Sequence, residues 1–119
     1  MLSTNLLALP ARKALLFALV AERLSIFYEQ GIWMTESQGM SLAGRWLTEA
    51  KLLLPGGDVR KFSALADQLA QQMADSLSRE AGLYAAHEMM EARDPRYESP
   101  FAQNVQVECE RLLVESEWV

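Results

Sequence analysis

The stretch that most limits how this chain can fold is Ala14 to Tyr28, ALLFALVAERLSIFY. Its apolar residues do not keep to one stripe. Leu15, Leu16, Phe17, Leu19 and Val20 cover most of a helix circumference, and Leu24, Ile26 and Phe27 continue along it. A helix that is apolar nearly all round belongs in the middle of a bundle, with neighbours on several sides. Arg12, Glu22 and Arg23 break that surface and require water or partners. Arg12 and Lys13 ahead of the apolar run imitate a signal peptide, yet a cut after Ala21 would put Leu19 where a small residue is needed. The run is also far too short to span a membrane. It reads as core.

The remaining chain supplies the neighbours. Residues 1–8 are a short lead-in, and Pro10 suits the first turn of a helix that runs to about Gln30 and stops at Gly31. Thr35 and Gln38 form a capping box for a second helix, with Gly39, Ala43, Trp46, Leu47, Ala50, Leu53 and Leu54 on one face. Small residues early in that stripe allow another helix to come close. Pro55-Gly56-Gly57 ends the second helix, and Asp58 caps the third. The third buries Phe62, Leu65, Ala66, Leu69, Met73 and Leu77, then breaks or bends between Ser78 and Gly82. Ser78 caps a fourth helix with Leu83, Ala86 and Met90 inward. After the connection RDPRYESP, Ser99 caps a fifth with Pro100 in its first turn and Phe101, Val105, Cys109 and Leu112 inward. The expected fold is all-α, a compact bundle of about five helices with the first central, in one domain over residues 1–119. Leu16, Phe17, Val20, Leu24, Trp46, Leu65, Leu69 and Phe101 should be largely buried.

Charge narrows the partners. The whole net charge of −5 lies in residues 60–119, which hold eleven acids and six bases, while the first 59 residues balance. Such a surface repels a phosphate backbone and suits a basic protein, so nucleic acid is not expected. A lone cysteine, Cys109, cannot form an intramolecular disulfide, which fits a cytoplasmic location.

Catalytic and metal chemistry find little support. His87-Glu88-Met89-Met90-Glu91 starts like a zinc-protease motif, but Glu91 stands where the second histidine is needed, and His87 is the only histidine. A partly buried His87 paired with Glu91 at helix spacing is the plainer expectation. Cys109 lies between Glu108 and Glu110, which oppose thiolate formation. No phosphate-binding glycine loop occurs. We expect no enzyme, no catalytic residues, no cofactor and no metal.

Aromatic residues beside charge point instead to protein recognition. Trp33 lies in a loop, Tyr97 in RDPRYESP, and Trp118 near the terminus. Glu88, Glu91, Arg93, Asp94, Arg96, Tyr97 and Glu98 follow in quick succession around Pro95, and with Trp33 they form the expected partner-binding set.

Two segments carry a resemblance. ALVAERLSIFYEQGIWMTESQGMSLAGRWL (Ala18 to Leu47) and AAHEMMEARDPRYESPF (Ala85 to Phe101) resemble small all-helical immunity proteins of bacterial type VI secretion systems, which neutralise an NAD-degrading effector. LLALPARKALLFALVAERL also resembles the uncharacterised YjaG-like helical family. The first resemblance implies an inhibitor that binds a cognate toxin and occludes its catalytic cleft. The alternative is a secretion chaperone or adaptor that holds a partner's amphipathic helix, with a homodimer as a further open arrangement.

Overall fold

Residues 9–49, 56–94 and 96–116 are described in the computed structural model. They form α1 (Leu9–Gln30), α2 (Glu36–Glu49), α3 (Gly56–Asp75), α4 (Arg79–Glu91) and α5 (Pro100–Glu115), with no strand among them. The expected all-α bundle of five helices is what the chain adopts. Its radius of gyration is 13.7 Å, close to the roughly 13.5 Å of a compact chain of this length.

α1 is the axis. It packs against α2, α3, α4 and α5, while α2 also packs on α3 and α4 on α5. Seven consecutive residues, Leu15 to Ala21, are buried, followed by Leu24 and Tyr28. Leu42, Phe62, Ala66, Leu69, Met89, Val105, Cys109 and Leu113 close around them. Leu16, Phe17, Val20, Leu24 and Leu69 are buried as expected, whereas Trp46, Leu65 and Phe101 are only partly so. Each of these three packs at the margin of the core, not within it.

The ends of the helices follow local chemistry. Gly31 takes a positive φ of 75°, which glycine tolerates, and its N–H donates to the Phe27 carbonyl at 2.8 Å. At α2 the capping box is complete: the Thr35 N–H donates to Gln38 Oε1 at 2.9 Å, and the Gln38 N–H to Thr35 Oγ1 at 3.1 Å. Ser78 and Ser99 cap α4 and α5 through the Ala81 and Ala102 N–H groups, with Pro100 in the first turn of α5. α3 breaks after Asp75, leaving Leu77 half-buried beyond the helix end.

One boundary differs from expectation. α3 starts at Gly56, so Gly56 and Gly57 open that helix instead of ending α2, and Asp58 lies in its first turn instead of capping it. An acid suits either place, because both the cap and the positive end of the helix favour it. Ala50, Leu53, Leu54, Pro55, Pro95 and Trp118 lie outside the described residues.

Two glycines set how closely helices approach α1. A Cβ on Gly82 would overlap the Tyr28 ring, so the ring lies directly on the α4 backbone. A Cβ on Gly39 would overlap Arg23 Nη2 and stand 2.6 Å from Ser63 Oγ. With Tyr28 near the start of α4, and Ala92 and Arg93 beside Ala11 to Ala18, α1 and α4 run antiparallel.

Candidate functional site

The connection from α4 to α5 is built by short-range hydrogen bonds. The Asp94 carboxylate accepts from the Arg96 backbone N–H at 2.9 Å, Nε at 3.1 Å and Nη2 at 2.9 Å. The Asp94 carbonyl accepts from the Tyr97 N–H at 2.9 Å, closing the turn. These bonds hold the Asp94 carboxyl below the ordinary carboxylate range, Arg96 being the cause. Two residues of this turn are therefore fixed by each other.

Tyr97 links the turn back to α4, its hydroxyl donating to Glu88 Oε2 at 2.7 Å. That bond pushes the phenol pKa up, and the nearby Glu88, Glu91 and Tyr84 add to the push. Glu88 is half-buried, whereas Glu91, Asp94, Arg96 and Glu98 are exposed. Tyr84 is 63% exposed and precedes Glu88 by one helical turn. Tyr84, Glu88, Glu91 and Tyr97 thus make one acidic, aromatic surface along α4. Sequence reasoning missed Tyr84. Its signal was a large aromatic falling between the inward positions Leu83 and Ala86.

Arg93 belongs to a different surface. Its guanidinium lies 4.1 Å from the Trp46 ring centroid, and Nη1 stands 3.6 Å from Glu22 Oε1. Beside it is a cavity of about 580 Å³ lined by Ala11, Ala14, Phe17, Trp46, Leu47 and Arg93, among others. Trp33 is separate again. It stacks on Phe27 at 4.0 Å, in the connection before α2, and is partly buried there. From Glu36 to Trp46, α2 rises roughly 15 Å, so Trp33 and Arg93 lie toward opposite ends of that helix. The structure therefore joins Glu88, Glu91, Asp94, Arg96 and Tyr97, leaves Glu98 exposed next in the chain to Tyr97, turns Arg93 to Trp46 and Glu22, and leaves Trp33 apart.

The least expected polar group is Arg23, only 2% exposed inside the bundle. Its Nη2 donates to Ser63 Oγ at 2.8 Å and its Nη1 to Asp67 Oδ1 at 3.1 Å. Gln71 Nε2 donates to the other Asp67 oxygen at 2.9 Å. Burial pulls the Arg23 pKa down, and Asp67 opposes that shift. Because Gly39 offers no side chain, the guanidinium is seated among α1, α2 and α3. This is a structural clamp that ties α1 to α3 through two guanidinium hydrogen bonds.

His87 is exposed and makes no hydrogen bond to Glu91, contrary to the expected pairing. A residue on the outer face of α4 is well hydrated, and water competes for both groups. Cys109 is buried, with burial first and Glu108 second pushing its thiol up to about 12. No group of three or more His, Cys, Asp or Glu side chains among the described residues could hold a metal ion. No helix among them is long and apolar enough to cross a membrane.

Compared with protein-family models, curated proteins and solved structures, the chain finds no significant match.

Proposed function

We propose that this chain is an immunity-type inhibitor that binds a cognate bacterial toxin, a type VI secretion effector, and occludes its active-site cleft. The observation that carries this reading is the α4 surface with its braced turn. Tyr84 and Tyr97 are 63% and 37% exposed, and the carboxylates of Glu88 and Glu91 lie beside Tyr97. The Asp94–Arg96 and Glu88–Tyr97 bonds hold part of that surface in place before any partner arrives. A preformed surface loses less conformational entropy on binding, and its negative charge suits the cationic lining of an anionic-substrate cleft. The resemblance of Ala18 to Leu47 and Ala85 to Phe101 to immunity proteins supports the same reading. On this reading the inhibitor acts in the cytoplasm, uses no cofactor and performs no chemistry.

The chaperone alternative asks for a groove that admits a helix, about 10–12 Å across with its side chains. The apolar cavity beside Trp46, about 580 Å³, is where such a helix would have to dock, and it lies apart from the acidic α4 surface.

Affinity capture from a native lysate tests the proposal, with the parent chain and a Tyr84→Ala/Glu91→Lys variant as paired baits. Neither substituted side chain makes a hydrogen bond among the described residues. Asp94 is left alone because it holds the turn. Support requires a protein retained by the parent, lost by roughly tenfold or more from the variant, and toxic unless the parent is co-expressed. Equal retention by both baits, or a captured protein without toxicity, overturns it.

A further inference from the structure

The cavity between the N-terminal half of α1, the C-terminal half of α2, the end of α4 and α5 is unused by the proposed inhibitor surface. Its walls are Ala11, Ala14, Leu15, Phe17, Ala18, Trp46, Leu47 and Ala92, and among the described residues Arg93, Gln106 and the Trp46 indole N–H, which has no hydrogen-bond partner, are its polar groups. Among the described residues no carboxylate lines it, the nearest to Arg93 being Glu22 at 3.6 Å from Nη1. At about 580 Å³ it lies within the range of small-molecule sites, which combine apolar walls with a few placed polar groups.

Arg93 decides the chemistry. Its Nη1 is the nitrogen near Glu22 and near Met90 Sδ, the latter at 3.5 Å. Its Nε and Nη2 make no hydrogen bond among the described residues. Those two N–H groups lie parallel on one edge of a guanidinium and match the two oxygens of a carboxylate. The guanidinium is held beside the cavity by its contact over the Trp46 ring at 4.1 Å and by Nη1 near Glu22 and Met90. We propose that this cavity binds a monocarboxylate with an unbranched apolar tail, the carboxylate on the Arg93 edge and the tail against Ala14, Phe17 and Leu47. This site is independent of the inhibitor reading and stands or falls with no partner protein present.

Titration of the full chain with decanoate, below its micelle-forming concentration, tests the site. The reporter is the Trp46 indole N–H resonance, assigned by its disappearance in Trp46→Phe. Decanol and decyltrimethylammonium serve as neutral and cationic counterparts of the same tail. The expected result is a saturable shift with decanoate, binding roughly tenfold or more tighter than decanol, and none with the cation. Arg93→Gln should remove the preference for decanoate while leaving decanol binding in place. Ala14→Phe, which fills the cavity, should block both ligands with helicity unchanged by circular dichroism. Absence of a saturable shift with decanoate overturns the proposal, as does equal binding of decanoate and decanol by the parent. Undiminished binding to a folded Ala14→Phe variant also overturns it.

Discussion

Arg23 shows how much a single position can depend on residues far away in the chain. Its partners Ser63 and Asp67 are 40 and 44 positions distant, and its seat is a glycine on a third helix. The sequence marks Arg23 as a charge on an apolar helix, but not which residue answers it. Gly39 reads correctly as a site of close approach, although the approaching group is a guanidinium and not a helix. Two glycines of α2 turn this into a paired prediction. Gly44 has open space around its would-be Cβ, so Gly44→Ala should stabilise by about 0.5–1 kcal/mol through helix propensity alone. Gly39→Ala gains the same propensity but displaces a pinned, buried side chain, at a cost of about 1–3 kcal/mol. Its urea midpoint should therefore fall while that of Gly44→Ala rises.

Cys109 adds a pH dependence at the same scale. The folded thiol is pushed up to about 12 from an ordinary 9.0, chiefly by burial. A group raised on folding contributes stability that is complete below the unfolded pKa. Above about pH 9 the unfolded chain ionises first, so stability should decline from there towards pH 12. Cys109→Ala should flatten that part of a stability–pH profile. A thiol reagent at pH 8 should label the native chain only at the rate of unfolding.

At the scale of the helices, most of the plan was legible because it is written in neighbouring residues. The Thr35–Gln38 box and the Ser78 and Ser99 caps are patterns spanning three or four positions, and each forms as expected. The start of α3 was not legible, since an acid suits both a cap and a first turn. The candidate surface was half legible. Its charge run announced itself, but Tyr84 joins it only through helix geometry, and Arg93 leaves it for Trp46 through a tertiary contact. Caps should differ in weight according to burial. Ser99 is buried and Ser78 exposed, so Ser99→Ala should cost near the upper end of about 0.5–2 kcal/mol and Ser78→Ala near the lower. Thermal unfolding of the two variants side by side checks the order.

For the whole molecule, the uneven charge has a kinetic meaning. The acids concentrate in residues 60–119, so the α4 surface should speed encounter with a basic partner. The association rate should fall as salt rises, more steeply for the parent than for Glu91→Lys. Stopped-flow binding at several ionic strengths reads this directly.

The central place of α1 also bears on how the chain is made. Translation delivers α1 before any helix that will cover it, and Lys13 meets Glu110 only after 97 further residues have been added. Until then Leu15 to Ala21 has no complete burial site, so the growing polypeptide carries a sticky segment until α5 has been made. Ribosome-bound chains halted before α5 should remain protease-sensitive and recruit holding factors, and release of the fifth helix should end both together. A protease-resistant α1 in chains halted after α2 would show that the bundle can be started from its first two helices alone.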